Sequence, residues 1–420
     1  MEFCRIIIMN KQIFTILLSL IAFTGIYADN GINSPYSRYG VGILSNQGLG
    51  INRQMGGLGY ALKSNSYINT LNPASFSAAD TLTMLFEAGM SLQNVNFKEG
   101  NSQINAKNAS FDYLAMEFRV RKNLGMSIGF LPYSTVGYSF STTSNPGDNE
   151  VSTDTYSGSG GIYQPYIGIG WEPIKGLSIG ASASYIYGEI THNVAIDFAN
   201  STDRSRTYDV SIRSYKLDFG LQYLAKLADK HSVMFGATYS HGHNLNADAS
   251  ITEVTQSSTN TTKVKDGFKL PNTYGVGLMY NYDENWKIGA DYTLQQWGTS
   301  SFFGRDKGCD RSKVAVGAEY TPSRLTNNIF KMISYRGGAY YAQPYTQING
   351  NKGCEEYGVS AGFSIPFINR NNKYSYATLH LSGQYIHMNP KSAGMIEENY
   401  LRINIGITFS EAWFTKMKVR

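Results

Sequence analysis

The chain has 420 residues, 36 Lys and Arg against 31 Asp and Glu, and a formal charge of +5 at pH 7. The charges are scattered and form no basic stripe, which excludes nucleic acid as an expected partner. The 43 Gly, 31 Tyr and 21 Phe against only 11 Pro are typical of aromatic-rich strands rather than helices.

The chain begins with a predicted secretory signal peptide. Arg5 and Lys11 supply a short positive region, and the apolar run 13–26 follows. This pattern directs export, and the small residue Ala28 marks the expected cleavage point. Residues 1–28 are therefore predicted to be removed from the mature protein.

Residues after 28 contain no stretch near the roughly 18 apolar residues that a spanning helix needs. The mean hydropathy is also slightly negative. From about residue 81 the chain instead alternates segments of roughly 10 residues with turns. Membrane-spanning helices are not expected.

Within these segments, apolar and polar side chains alternate. One segment has an apolar face formed by Leu177, Ile179, Ala181, Ala183, Tyr185 and Tyr187, and a polar face formed by Ser178, Gly180, Ser182 and Ser184. The same period recurs over 377–385 and 401–410. A period of two predicts strands with two unlike faces.

The whole chain favours a transmembrane barrel over a soluble sandwich. No helical pattern interrupts the strands, short turns alternate with long polar loops, and aromatic residues crowd the strand ends. Hydrocarbon offers no partner for an open edge, so such a sheet must close. The predicted fold is an all-β, antiparallel transmembrane barrel of about 14 strands over 81–420, near 82–97, 110–120, 124–142, 158–173, 177–198, 210–227, 231–252, 264–282, 286–302, 312–321, 334–346, 357–367, 374–388 and 400–410.

The connections predict an orientation in the outer membrane of a Gram-negative bacterium. Short turns, expected to face the periplasm, lie at 121–123, 173–176, 228–230, 283–285, 322–328 and 369–373. Long connections rich in Ser, Thr, Asn and Gly, expected to face outward, lie at 142–157, 200–206, 255–262, 304–311, 347–356 and 389–399.

Two cysteines remain after the signal peptide, and both fall in the predicted outward loops. Cys309 and Cys354 are a disulfide candidate, because an exported pair meets an oxidising compartment. The alternative is two independent thiols.

The segment 29–80 does not alternate and is rich in glycine. It is either a flexible leader or a plug folded inside the lumen. Gly48-Leu49-Gly50, then Gly57-Leu58-Gly59, and then Asn72-Pro73-Ala74 directly before the first strand resemble the hatch of the FadL-type long-chain fatty-acid transporters of the outer membrane. The stretches 34–40, 399–400 and 411–414 resemble a branch of this family common in Bacteroidota.

The resemblance implies a ligand path and a lateral exit. Gly48, Gly50, Asn72, Pro73 and Ala74 would belong to a hatch over 29–80 that a hydrophobic molecule passes before it leaves sideways at a strand kink. Asn-Pro is also a common turn starter, which is the alternative for that element.

A candidate for the kink lies in the third predicted strand. Pro132 cannot donate to the strand ladder, and Gly129 and Gly137 flank it. The alternative is an ordinary bulge.

The sequence predicts no enzyme, metal or cofactor. No nucleophile, base and orienting group share one level of the barrel, and no His, Cys or carboxylate set has metal-ligand spacing. Several carboxylates recur with cations among the strand residues, and we expect them to form lumen salt bridges or to line a polar path. The carboxylates are Asp80, Glu117, Asp218, Asp291 and Glu319, and the cations are Arg119, Arg213, Lys216 and Arg402.

The leading functional hypothesis is passive transport of a small hydrophobic, fatty-acid-like molecule through a plugged barrel with a lateral exit. Such a protein would contact outer-membrane lipid and its cargo. The alternative is a non-transporting barrel that acts as a scaffold or subunit of a larger complex with other outer-membrane proteins. A diffusion porin is a third hypothesis, which requires the glycine-rich segment to lie outside the pore.

Overall fold

A computed structural model describes residues 31–412 except 82, 148–149, 199–201, 265–267, 284, 303–305, 324–327, 349, 369–375 and 392–394. The predicted signal peptide, 1–28, lies outside the described residues, as do residues 413–414 of the resemblance. None of the described helices combines the length and apolar character that a membrane crossing requires.

Fourteen long antiparallel strands make up the barrel in the described part of the chain. They are β2 (Thr83–Glu99), β3 (Ser102–Arg121), β4 (Leu124–Gly147), β5 (Glu150–Ile174), β6 (Leu177–Phe198), β7 (Arg204–Ala228), β8 (His231–Ser240), β11 (Thr273–Tyr282), β12 (Trp286–Gln295), β15 (Arg311–Tyr320), β16 (Ser334–Ala342), β19 (Glu355–Ile368), β20 (Tyr376–Asn389) and β21 (Glu397–Ala412). The sheet is closed, because β2 pairs with β21 from Thr83 to Lys98. The predicted fold class and strand number are confirmed.

The remaining elements are short. The strands are β1 (Ile43–Leu44), β9 (Ala247–Val254), β10 (Thr259–Val264), β13 (Ser301–Phe302), β14 (Asp306–Lys307), β17 (Gln347–Ile348) and β18 (Asn351–Lys352). The α-helices are α1 (Gly50–Gln54) and α2 (Ile329–Met332), and 3-10 helices span Pro35–Arg38, Pro73–Ala78 and Trp297–Thr299.

The barrel wall has the two faces that the alternation predicts. In β6, Ile179 and Tyr185 are exposed on the outside, whereas Ser178 and Ser184 are buried on the inside. A soluble protein would bury the apolar face. An apolar exterior around a polar interior suits a sheet whose outer solvent is lipid.

Two belts of exposed aromatic residues mark the membrane boundaries on this exterior. One contains Tyr163, Tyr187, Tyr215, Tyr274, Tyr292 and Tyr385, and the other contains Trp171, Tyr223, Tyr282, Trp286, Tyr320 and Tyr335. In β11, Tyr274 and Tyr282 lie at opposite ends of a 10-residue strand, which at a tilt of roughly 40° gives an apolar band about 20 Å high.

One side of the barrel rises far above the first of these belts, which we therefore assign to the outer surface. The strands β4 to β7 have 22 to 25 residues, whereas β11, β12 and β15 have 10. Strand therefore occupies most of 142–157, where the sequence predicted an outward loop. Above the membrane, water can form hydrogen bonds with polar side chains on both faces of a strand. The Ser- and Thr-rich composition of 142–157 therefore does not end the strands there.

Two predicted strands, 231–252 and 264–282, are interrupted in the structure. Between β8 and β9, and between β10 and β11, the chain turns into the barrel, and Leu245 and Leu270 join a buried apolar cluster. The amide of Leu245 donates to the carbonyl of Phe268 at 2.7 Å, which keeps the inward chain paired. The free energy gained by burying these leucine side chains outweighs the loss of strand hydrogen bonds at this point.

We expect a charged residue on the lipid face to destabilise the barrel more when it lies deeper in the membrane. Leu278 is exposed midway between Tyr274 and Tyr282, so Leu278→Arg should lower the free energy of unfolding in a bilayer by about 2–4 kcal/mol. Val254→Arg, at an exposed position on β9 above the belt, is the matched control and should change it by less than about 1 kcal/mol. Equal losses in denaturant titrations of the two variants would contradict the assigned membrane boundaries.

Candidate functional site in the barrel lumen

Residues 31–80, here called the N-terminal segment, contact lumen-facing side chains all around the wall. On β2, Glu87 accepts hydrogen bonds from the amides of Gly50 at 3.1 Å and Ile68 at 3.3 Å. On β12, Asp291 accepts from the amides of Gly59 at 2.6 Å and Tyr60 at 2.9 Å. Two buried wall carboxylates therefore hold the backbone of the segment from different sides.

Ion pairs add to this attachment. Arg53 pairs with Asp112 at 2.8 Å, and Lys63 pairs with Glu172 at 2.5 Å. The Arg53 pair is almost completely buried, so loss of one partner would leave an uncompensated charge.

Arg336 of the wall links the N-terminal segment to an ion pair within the wall. Its guanidinium donates to Gln54 of the segment at 2.8 Å and to Glu319 of β15 at 2.6 Å. Glu319 also pairs with Lys287 at 2.9 Å. Glu319 therefore forms a lumen salt bridge as the sequence predicted, and Asp218 does so with Lys216. Asp291 instead binds backbone amides, and neither Asp80 nor Glu117 has an ion pair among the described residues.

Glycines in the wall let the N-terminal segment approach the barrel backbone directly. A Cβ atom at any of five wall positions would lie well inside 3.0 Å of an atom of the segment. These positions, here called the glycine collar, are Gly125, Gly180, Gly220, Gly236 and Gly338, and they face Phe76, Pro73, Asn72, Tyr60 and Met55. No side chain separates segment from wall at these points.

The predicted Asn72-Pro73-Ala74 element lies at the periplasmic end of the lumen. Asn72 caps the 3-10 helix Pro73–Ala78 by accepting from the Ala74 amide at 3.1 Å. Its amide group also donates to the carbonyls of Tyr60 at 2.8 Å and of Leu221 in the wall at 3.2 Å. Asn72 is therefore a turn starter and a wall contact at the same time.

Of the other predicted path residues, Gly48 and Gly50 lie at the start of α1. The carbonyl of Gly48 accepts from Arg53 at 2.9 Å, and Gly50 lies against Glu87 as described above. Both glycines therefore serve the attachment of the N-terminal segment.

The predicted kink residues lie where the wall changes its pairing. The register between β4 and β5 shifts between Pro132 and Ser134, which is a bulge. On its other side β4 pairs with β3 only as far as Phe130, opposite Leu114. Gly129 lies just below this limit, where a Cβ would press on the Leu114 carbonyl.

Above that limit the two strands separate. In the described part of the chain, no strand pairs with residues 102–113 of β3 on the side of β4. Residues 131–147 of β4 have only β1 there, at Ser134 and Thr135. We call the space between these two stretches the wall gap, and it begins at the outer belt, where the rings of Phe111 and Phe130 are 6.2 Å apart.

Two cavities lie in the lumen between the N-terminal segment and the wall. The larger, of about 230 Å³, reaches Ile386 on the far side of the barrel, and the smaller, of about 130 Å³, reaches Leu131 at the bulge. Tyr60, Leu71 and Tyr133 line both cavities. Gln47, Thr293 and Gln295 line both cavities as well, so these six residues mark where the central chamber adjoins the cavity at the foot of the wall gap.

The larger cavity carries an excess of positive charge. Arg311, Lys313 and Arg402 line it together with the carboxylates of Asp291 and Glu356. Arg311 lies 3.5 Å from Glu356. The ammonium of Lys313 lies 4.4 Å from the centre of the Tyr340 ring and has no ion-pair partner among the described residues.

Buried aromatic residues close the outer end of the lumen beneath the tall side. Trp297, Phe302 and Phe268 pack there with inward residues of β4 to β7. Tyr345 joins them and ties the outward loops to the N-terminal segment, because its hydroxyl accepts from the amide of Val41 at 3.2 Å.

The sequence alone did not identify Glu87, Lys313 or the glycine collar. The sequence does contain one indication of the collar, which is that Gly180, Gly220 and Gly236 each occupy a lumen-facing position in a strand of alternating apolar and polar residues. Glu87 and Lys313 are single charged residues in such strands, and nothing in their spacing indicates a partner.

Both cysteines are buried free thiols in the structure. Cys309 donates to the Pro344 carbonyl at 3.2 Å, and Cys354 lies beside Tyr36. Burial raises the pKa of Cys309 and raises that of Cys354 to about 12. The disulfide stays a prediction, and high thiol pKa values slow its formation.

The closed 14-strand barrel and its apolar exterior define an outer-membrane, multi-pass β-barrel with the FadL-type fold. The CymD monoaromatic hydrocarbon channel is 15% identical, with 90% of this chain and 100% of that chain covered and a TM-score of 0.58. The Pseudomonas putida toluene transporter TodX is 17% identical, with 87% and 99% covered and a TM-score of 0.59. A Pseudomonas aeruginosa FadL homologue is 11% identical, with 88% and 98% covered and a TM-score of 0.57.

At these identities the likeness is one of fold, and it confirms the predicted resemblance in architecture. A family described as BamG matches residues 9–420. The chain belongs to the BamG family. No curated protein matches it.

Filling a place in the glycine collar should loosen the N-terminal segment. In Gly236→Ala the new methyl group would meet the Tyr60 carbonyl, and we expect a loss of about 1–3 kcal/mol in stability. Limited proteolysis should then cleave the segment faster. Gly383→Ala, where nothing lies within 4 Å, is the matched control, and equal cleavage in both variants would contradict a tight fit.

The state of the cysteines can be measured directly. Because both thiols are buried and Cys309 is hydrogen-bonded to the Pro344 carbonyl, we expect intact-mass spectrometry of non-reduced protein to find two free thiols after unfolding in an alkylating agent. A mass lower by two hydrogens with no alkylation would establish the disulfide, and a Cys309→Ser variant would then lose it.

Proposed function

We propose that this barrel transports a small amphipathic molecule with an apolar body across the outer membrane. The observation that supports it most is the pair of adjoining cavities, which together run from the centre of the lumen to the foot of the wall gap. Volumes of about 230 and 130 Å³ are small for ligand pockets and suit a narrow molecule.

In this proposal the molecule leaves sideways through the wall gap. Tyr60, Leu71 and Tyr133 would act as the inner gate, because they are the aromatic and aliphatic members of the set that lines both cavities. The gap begins at the outer aromatic belt, so the released molecule would meet lipid at the level of the outer leaflet. Of the alternatives for Pro132, this proposal takes the bulge to be the foot of the exit.

The start of the N-terminal segment crosses the inner side of the gap. Asn33 donates to Asn108 of β3 at 3.1 Å, and Ser37 accepts from the amide of Gly137 of β4 at 3.1 Å. Lateral release therefore requires residues 31–45 to move, while the deeper residues 46–80 stay in place as a plug.

The charge of the larger cavity supports an anionic head group such as a fatty-acid carboxylate. Lys313 lies in that cavity without an ion-pair partner among the described residues. A carboxylate beside Lys313 would gain a charge-assisted hydrogen bond, while the apolar chain would lie against Leu71 and Tyr133.

A second candidate function is a non-transporting scaffold in a complex with other outer-membrane proteins. The observation that favours it is how firmly the N-terminal segment is held, by the glycine collar, by Glu87 and Asp291, and by the buried Arg53–Asp112 pair. A barrel that never opens would need such a filling for stability alone.

A disulfide across the gap separates the two candidates. We expect Ser37→Cys with Gly137→Cys, in a background of Cys309→Ser and Cys354→Ser, to lower uptake of labelled fatty acid by whole cells at least about tenfold, because a locked gate leaves only a leak. A reductant should restore uptake. The matched control joins Ser141→Cys to Thr155→Cys, whose hydroxyls are 3.0 Å apart on β4 and β5 above the membrane.

Unchanged uptake with a formed disulfide would rule out lateral release and favour the scaffold.

Within the transport proposal, Lys313→Met tests whether Lys313 binds the carboxylate of the transported molecule. It should raise the half-saturating concentration roughly tenfold, the value of one charge-assisted hydrogen bond. Lys98→Met, on an exposed lysine at the outer end of β2, should leave it unchanged.

A further inference from the structure

The wall gap leaves two strand edges unpaired above the membrane. Residues 102–113 of β3 are bonded to β2 on one side only. Opposite them, residues 138–147 of β4 are bonded to β5 only. The edge of β3 over 102–110 is also mostly exposed to solvent, with Ile104 at 69%.

The β3 edge carries little of the usual protection against strand pairing. Natural sheets cover an open edge or place charges and prolines along it. On the β4 side, residues 131–147 contain no charged side chain but do contain Pro132 and Pro146, so that edge keeps part of this protection. The β3 edge contains only Lys107 and Asp112, and Asp112 is already paired with Arg53 inside the barrel. Lys107 is thus the one exposed charge along the β3 edge over 102–110, and an edge of this length with so little protection indicates that something covers it.

We propose that an extended segment of another surface-exposed or outer-membrane protein adds as a strand to the β3 edge over 102–110. Alternating amide donors and carbonyl acceptors along an edge are complementary to a polypeptide backbone and not to lipid. The side chains over 102–110 are uncharged except for Lys107, which suits a largely uncharged partner segment. Nine residues offer about 30 Å of pairing.

The shape of the gap selects a single strand rather than a second copy of the barrel. The two edges converge at Leu114 and Phe130, where pairing between β3 and β4 begins. The tall strands β4 to β7 stand directly beside the β3 edge and block a whole barrel wall from approaching it. The inner side of β4 at 134–137 is already occupied by the N-terminal segment.

This inference does not depend on transport, because a transporter and a scaffold could both carry such a partner. Hydrogen exchange tests it on the wild-type protein. Amides of 102–110 that point away from β2 should exchange quickly in the detergent-purified barrel. In native outer-membrane vesicles the added strand should slow them at least about 100-fold. Amides of 191–194, which lie on a strand paired on both sides, should not differ between the two preparations.

A photo-crosslinking residue identifies the occupant in intact cells. Placed at Asn105 it should join this chain to one extended, uncharged segment of a different protein. Placed at Glu189, an exposed residue of a strand paired on both sides, it should not. Ile104→Asp adds a protective charge to the edge and should reduce the Asn105 product at least about tenfold, while the folded barrel still resists denaturation in detergent.

Equal exchange of 102–110 in vesicles and detergent would overturn the proposal. So would an Asn105 product with lipid, with a second copy of this chain, or with a partner segment that Ile104→Asp does not affect. None of these outcomes bears on uptake through the gap, which the Ser37–Gly137 disulfide measures separately.

Discussion

The structure depends on one constraint, which is that backbone amides and carbonyls inside hydrocarbon must be paired within the protein. Closure of β2 on β21 meets it for the wall. Inside the lumen the same requirement falls on the N-terminal segment, whose backbone is buried away from water. Glu87, Asp291 and Asn72 meet this requirement by forming hydrogen bonds with the backbone of the segment. The glycine collar lets the segment come close enough to the wall for such bonds.

The place where pairing is incomplete follows from this constraint. Pairing between β3 and β4 ends at Leu114 and Phe130, level with the outer aromatic belt. Above this level water can solvate a free edge, whereas below it an open edge would be prohibitively costly. The proposed lateral exit and the proposed strand-docking edge therefore both lie at the wall gap. The exit would use the inner side of the gap, and the docking edge lies at its outer end.

The two halves of the N-terminal segment are held differently, which bears on the proposed passage of a molecule. The deeper half has buried carboxylates, ion pairs and the glycine collar. The first half, 31–45, crosses the gap without an ion pair among the described residues. It is held by the short β1–β4 pairing and by hydrogen bonds, including those of Asn33, of Ser37 and of Ser34 with the buried Glu398. In the proposed lateral release these contacts would break, while the contacts of the deeper half would be kept.

The sequence by itself determined the barrel, its strand number and the two faces of its strands, because a period of two reports on which side of a strand the solvent is lipid. It also marked Pro132 as a break in the ladder, because proline lacks an amide hydrogen. Only the tertiary structure decided where strands end above the membrane, that Leu245 and Leu270 turn inward, and that Glu87 and Gly236 meet the N-terminal segment. Those features arise between residues far apart in the chain, and local periodicity carries no information about which distant residue will be the partner.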